Sequence, residues 1–169
     1  MRIAILTCRR LPSFVTWEIP DVPALFEDDR RLIAAFQEQG DEATSVVWSD
    51  AGGDWRDYDL ALLRSTWDYI DDRAGFLAAL AVIERSSCRL YNPLDAVRWN
   101  SDKRYLQDLE AAGIAVVPTT YVAPGEPLPA LEGEVVIKPS VSAGAKDSGR
   151  FGSAAHDQAR ALIERIHRA

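Results

Sequence analysis

Arg2-Ile3-Ala4-Ile5-Leu6-Thr7-Cys8 is the stretch that decides the fold class. It is a short, nearly unbroken apolar run, the pattern of a strand buried on both faces. A stretch with Pro12, Pro20 and Pro23 follows; it suits neither regular helix nor central strand and reads as a long loop. Leu25, Phe26, Leu32, Ile33 and Phe36 then recur at helical spacing, behind Glu27, Asp28 and Asp29 in the first turn and ahead of Gly40. Glu42 to Trp48 reads as a second strand, Ala51-Gly52-Gly53 as a turn, and Tyr58 to Leu63 as a third strand. A second helix starts near Asp72 and carries Phe76, Leu77, Leu80 and Ile83 on one face, and a short strand, Arg89 to Tyr91, ends at Asn92-Pro93. Strand alternating with helix predicts an α/β fold, a parallel sheet covered by helices, over roughly the first 95 residues.

The remainder reads differently. Ser101 is placed to cap a third helix bearing Tyr105, Leu106 and Leu109, closed by Gly113. Ile114 to Val122 is β-rich, Pro124 to Pro129 is a loop, and Glu134 to Lys138 is another strand. Ser140 to Gly152 is a loop of small residues, and His156 to Ile166 a last helix with Ala159, Leu162, Ile163 and Ile166 inward. The composition shifts between Asn92 and Asn100, which sets the expected domain boundary after Arg98, giving domains 1–98 and 99–169.

Charge supports the division and narrows the partners. The chain of 169 residues has 19 Lys+Arg against 26 Asp+Glu, net −7, with a pI near 4.8. That balance argues against nonspecific binding to nucleic acid or to anionic membranes, both of which need a basic surface. No apolar run reaches the roughly 18 residues of a membrane span, and no signal peptide is read at the N-terminus, so a cytoplasmic location is expected. Cys8 and Cys88 support no disulfide framework, and His156 and His167 no histidine-centred metal site. The basic residues include only three lysines, Lys103, Lys138 and Lys146, all in the second part. Residues 1–98 hold 11 basic and 17 acidic side chains, and residues 99–169 hold 8 and 9. Compact ammonium groups gathered in a nearly neutral segment are common phosphate ligands; chance among surface charges is the plainer alternative.

Several motifs are absent. No G-x-G-x-x-G follows the first strand, since no glycine precedes Gly40, which weakens a dinucleotide reading. Gly144-Ala145-Lys146-Asp147 is not a Walker A loop, and no G-x-S-x-G occurs. Three features remain. Arg64-Ser65-Thr66-Trp67-Asp68-Tyr69 follows the third strand, at the edge where parallel sheets bind ligands. Arg64, Ser65, Thr66 and Asp68 suit a small substrate bearing a carboxylate and an amine, although a capping turn with Trp67 packed inward accounts for them too. Lys103 and Arg104 oppose the dipole of the helix expected there, which suggests an anion that meets them, against the simpler reading of a solvated lysine. Lys138 closes an apolar strand, where burial without an anionic partner is costly, and the loop after it is suited to wrap backbone N–H groups around phosphates. An exposed strand end with a flexible hairpin is the alternative.

Lys103, then V-I-K-P at 136–139 and a Ser/Gly/Ala loop, together with R-S-T-W-D-Y at 64–69 and R-W-N-S-D-K-R-Y-L at 98–106, resembles the ATP-grasp superfamily. The similarity is to its glutathione-synthetase-like branch and to bacterial ligases there, the cycloserine-forming one among them. The resemblance implies a pre-ATP-grasp parallel sheet followed by an incomplete α+β ATP-grasp subdomain. It implies that Lys103 and Lys138 hold nucleotide phosphates, that Ser142, Ala143 and Gly144 lie nearest them, and that the Arg64–Asp68 edge meets an amino-acid-like substrate. Catalytic residues are not assigned. The expected function is the N-terminal part of an ATP-dependent carboxylate–amine or cyclising ligase working through an acyl phosphate, with ATP and Mg²⁺ as cofactors.

The magnesium ligands of such ligases lie in a second subdomain, and beyond Arg150 only Asp157 and Glu164, seven positions apart on a helix, come near such a set. The 169 residues alone are accordingly expected to be inactive. With Val135, Ile137 and the last helix expected to lack cover, self-association as a homo-oligomer, or disorder in Ser140 to Gly152, is expected. Two rivals stand beside this reading. One is a non-catalytic α/β module binding a small amino acid or a protein partner. The other is a flavodoxin-like domain with an accessory hairpin, which would set Lys103 and Lys138 far apart.

Overall fold

A computed structural model describes residues 1–11, 22–50 and 53–168. Pro12 and Pro20 of the expected long loop, and Ala51-Gly52 of the expected turn, lie outside the described residues. The chain divides into two compact units, Met1–Trp99 and Asn100–Ala169, one residue from the expected boundary.

In the first unit, β1 (Arg2–Thr7), β2 (Glu42–Val47), β3 (Leu60–Ser65) and β4 (Arg89–Tyr91) form one sheet in the order β2-β1-β3-β4, every pair parallel. The parallel α/β sheet expected from the sequence is what forms. Strand β1 is central, and Ile3, Ala4, Ile5 and Leu6 are fully buried because both sheet faces are covered. The pleat sends alternate residues to opposite sides. Ile3 and Ile5, with Ala43, Leu60 and Leu62, pack against Leu32, Ile33 and Phe36 of helix α2 (Glu27–Glu38). Ala4 and Leu6, with Ala61 and Leu90, meet Phe76, Leu80 and Ile83 of helix α3 (Arg73–Glu84), along with Trp48 and Trp55. Asp72 caps α3, accepting from the Gly75 N–H at 2.8 Å. Gly40, just beyond α2, takes φ +86°, the left-handed conformation that ends a helix at little cost for glycine.

Three local expectations are corrected here. Pro23 falls inside a short helix, α1 (Val22–Leu25), because proline is tolerated in a first helical turn. The third strand runs on through Arg64 and Ser65. The stretch read only as a boundary contains helix α4 (Leu94–Asn100), whose Leu94 and Val97 join the first unit's core.

In the second unit, helix α5 spans Tyr105–Ala111 and Gly113 follows it at φ +79°. Ser101 does not cap it: the residue before α5 is Arg104, no side chain caps the helix, and Ser101 is buried. Strands β5 (Val135–Ile137) and β6 (Gly149–Phe151) pair antiparallel, so the expected small-residue loop ends in a strand. Residues 114–122 form no strand. They have β propensity, but no strand pairs with them among the described residues, and Pro118 lacks an N–H to donate. The segment from there to Gly133 is pinned from helix α6 (His156–Arg168): the His167 ring hydrogen-bonds the Val122 carbonyl at 3.1 Å, and the His156 ring that of Gly133 at 2.9 Å. Helix α6 also packs on β5 and β6, burying Ala159, Leu162 and Ile163. Val135, Ile137 and the inner face of α6 are therefore not left uncovered as expected; the exposed apolar side chain of that strand is Val136.

Candidate functional site

Two clusters contain the residues singled out from the sequence, one in each unit. The first lies at the carboxyl ends of β1, β2 and β3. The pairing of β1 with β3 shifts register there: Leu6 stands opposite Leu63 but Thr7 opposite Ser65, so Arg64 is the extra residue of a β-bulge. Bulges re-aim side chains and are frequent beside functional sites. The Arg64 Nε donates to Oδ1 of Asp29, in the first turn of α2, at 3.0 Å. Arg64 keeps 42% of its side chain exposed, whereas that of Asp29 keeps 7%. The other carboxylate oxygen of Asp29, Oδ2, is buried and has no hydrogen-bond partner among the described residues. A second contact lies close by in sequence, Phe26 just before α2 against Trp67 just after β3, with ring centroids 5.5 Å apart.

Asp68 has a different task. Its Oδ2 accepts from the Arg9 N–H at 3.0 Å and the Arg10 N–H at 3.4 Å, and its Oδ1 from the Trp48 indole N–H. One carboxylate thus ties together the segments leaving β1, β2 and β3. Ser65 and Thr66 are buried, and the Ser65 carbonyl accepts from the Cys8 N–H at 2.7 Å. Of the four residues expected to face a substrate, Arg64 is exposed, Asp68 half-buried, and Ser65 and Thr66 buried. Burial pushes the Cys8 and Cys88 thiols up, which leaves neither cysteine suited to act as a thiolate nucleophile.

The second cluster is built on Lys103. It sits in the turn before α5 rather than inside a helix, so the expected clash with a helix dipole does not arise in that form. Its backbone N–H donates to the Ser140 carbonyl at 2.9 Å, and the Tyr121 hydroxyl donates to its carbonyl at 2.8 Å. Its ammonium reaches the Ser140 carbonyl at 3.3 Å, the Ser142 carbonyl at 3.1 Å and the Ser142 Oγ at 2.7 Å. Burial lowers the Lys103 pKa, and the neighbouring Lys138 charge lowers it further, against a smaller opposite effect of Asp102. Lys138 stands two residues before Ser140, whose carbonyl the Lys103 ammonium reaches, and its charge acts on Lys103. Lys138 is exposed, so the expected cost of burying it at the strand end is not incurred. Beyond Ser142, half-buried Ala143 leads to Gly144, Ala145 and Asp147 at φ of +58°, +59° and +52°; two non-glycine residues in the left-handed region mark a strained loop. The Arg165 guanidinium holds the Asp147 carboxylate at 3.0 Å. Among the described residues, no three His, Cys, Asp or Glu side chains group so as to hold a metal ion, and no helix is long and apolar enough to cross a membrane.

Asp29 escaped the sequence reading because it looked like one of three acids at a helix start. Its signal was position: residues 29, 32, 33 and 36 share one helical face, and the other three are the core-facing Leu32, Ile33 and Phe36.

Comparison with known proteins agrees with this architecture. The family described as the N-terminal domain of D-cycloserine synthetase DcsG matches residues 3–92. The cycloserine biosynthesis protein DcsG of Streptomyces lavendulae is 34% identical over 156 residues, covering 86% of this chain and 50% of that protein. The crystal structure of D-cycloserine synthetase DcsG superposes with a TM-score of 0.76 at 28% identity, covering 99% of this chain and 56% of that one. The chain thus spans about half the length of the relatives it matches. With its sheet, both units and more than half its residues matched, the chain belongs to the family of D-cycloserine synthetase DcsG N-terminal domains.

Proposed function

We propose that this chain supplies the substrate edge and part of the nucleotide site of an ATP-dependent ligase that activates a carboxylate for attack by an amine, within another molecule or within the same one. The observation that carries the reading is the Lys103 ammonium seated on the Ser140 and Ser142 carbonyls and the Ser142 hydroxyl, in the small-residue loop that follows Lys138. The Lys103 ammonium is disfavoured by burial and by the like charge of Lys138, and a polyanion offsets that repulsion. The fit to a triphosphate lies in the donor set: Lys103 is half-buried with its charge partly stripped of water, and Lys138 is exposed. Small residues over 142–145 allow the loop backbone to approach closely.

ATP, when bound, supplies the phosphoryl group that turns the substrate carboxylate into an acyl phosphate. The task of this chain's residues is to hold charge. Lys103 exchanges the Ser142 carbonyl and hydroxyl for phosphate oxygens, and the loop, released from the ammonium, turns its N–H groups toward the same phosphates. At the sheet edge Arg64 meets the substrate carboxylate, and Asp68 keeps the three strand ends in place around it. The described residues provide no cluster of three His, Cys, Asp or Glu side chains for a metal ion.

The three lysines make the test direct. With ¹³C-labelled lysine, titration of the chain with ATP should shift the Lys103 and Lys138 resonances together, and AMP should shift them far less. Lys103→Met should weaken ATP binding about tenfold, the loss of one charge-assisted contact. ATP at millimolar concentration leaving both resonances in place would contradict the reading.

A further inference from the structure

We infer that Asp29 is a specificity-determining residue: with Arg64 it forms a receptor for a zwitterion, Arg64 taking a carboxylate and the free Oδ2 of Asp29 taking an ammonium. The inference deepens the ligase reading, on which it rests for the ligand's role as substrate. Four observations converge. Asp29 is turned inward on the core-facing side of α2, where a carboxylate is costly unless paired. Only one of its oxygens is paired, with Arg64, and the other is buried without a partner among the described residues. An acceptor left in that state calls for an N–H or O–H donor that arrives with something else. Arg64 is placed by a β-bulge at the carboxyl edge of the sheet and exposes much of its side chain, so it forms the solvent side of the pair.

The order of charges sets the ligand class. A guanidinium outside and a carboxylate oxygen beneath it match an anion and a cation joined by a short linker, the head of an α-amino acid. An incoming carboxylate draws the guanidinium outward, which opens Oδ2 to the ammonium behind. Phe26 and Trp67, each three residues along the chain from Asp29 and Arg64, pack ring against ring and add apolar surface to the same strand end. A ligand with only a carboxylate gains the Arg64 contact and leaves Oδ2 unsatisfied. One with only an ammonium faces the guanidinium charge first.

The test is an amide-detected NMR titration of the 169-residue chain with serine (both enantiomers), with lactate, which lacks the ammonium, and with ethanolamine, which lacks the carboxylate. One serine enantiomer should give saturable shifts centred on residues near Asp29 and Arg64, and lactate and ethanolamine should bind about tenfold more weakly or worse. Asp29→Asn keeps an acceptor for the Arg64 Nε and puts a donor where Oδ2 was. It should lose about tenfold in serine affinity and leave lactate affinity unchanged. Serine binding that ignores Asp29→Asn, serine and lactate binding alike, or no saturable response to serine would each overturn the inference. Should the variant fail to fold, the serine-to-lactate ratio in the unaltered chain decides. Serine discrimination without any ATP response at Lys103 would instead sink the ligase reading and leave the zwitterion receptor standing.

Discussion

An ammonium that gives up water must find fixed acceptors, and Lys103 finds three in one loop, the carbonyls of Ser140 and Ser142 and the Ser142 hydroxyl. Those contacts fill its three donors, so its position is set by the loop as much as by its own turn. Its pKa is lowered first by burial and second by the Lys138 charge. Lys138→Met should therefore raise the Lys103 pKa, yet leave it below the ordinary 10.5, because the larger cause persists. A folded pKa below the unfolded one means that the unfolded chain holds the proton more tightly in the window just under 10.5. The Lys103 contribution to stability thus rises as pH climbs through that window, and the cost of charging it is complete below the folded pKa. In Lys138→Met that rise should flatten. Lysine-detected NMR titration measures the pKa, and urea unfolding at several alkaline pH values measures the slope; an unchanged Lys103 titration would show that the two charges do not interact.

Elements held at their ends depend on few residues, and Asp68 is the clearest case. Its carboxylate receives backbone donors from the segment after β1 and the indole of the residue after β2. Asp68→Ala leaves three donors unsatisfied and should cost about 2 kcal/mol in urea unfolding, with Asp68→Asn intermediate because only part of the acceptor set survives. A loss near zero would mean that water replaces the carboxylate. The sequence pattern made the four parallel strands, α2, α3 and α6 legible, because Ile3 to Leu6, Phe76, Leu80 and Ile83 show their burial in plain periodicity. It failed where structure depends on a partner. Residues 114–122 have strand composition and no strand beside them, while Gly149–Phe151 is a strand only because Val135–Ile137 lies opposite. The candidate sites divide the same way. Arg64 stood out by its place after the third strand, and Lys103 by a helix dipole that the turn before α5 does not present, but the pairing of Asp29 with Arg64 joins residues 35 apart in sequence, which no local pattern reports.

At the scale of the whole chain, the two units differ in how much core each contains. The first buries both faces of its sheet, with Ile3, Ala4, Ile5, Leu6, Ala61, Leu80 and Ile83 at zero exposure. The second buries Ala159, Leu162 and Ile163 beneath a two-stranded ribbon, and long stretches such as 114–134 rely on side-chain contacts from α6. Apolar burial contributes about 25 cal/mol per Å², so the unit with the larger closed core should be the more stable and should fold by itself. The fragment 1–99 should unfold cooperatively, and its transition should coincide with the later of two transitions in the 169-residue chain followed by circular dichroism. Tryptophan reports on this directly, since all five tryptophans fall within residues 1–99, Trp48 and Trp55 in the core itself. The fluorescence change of the full chain should therefore track the later transition alone, while helix signal is lost in both. A single transition seen identically by both probes, with fragment 1–99 unfolded, would mean that the first unit's core is not sufficient and that the two units stand or fall together.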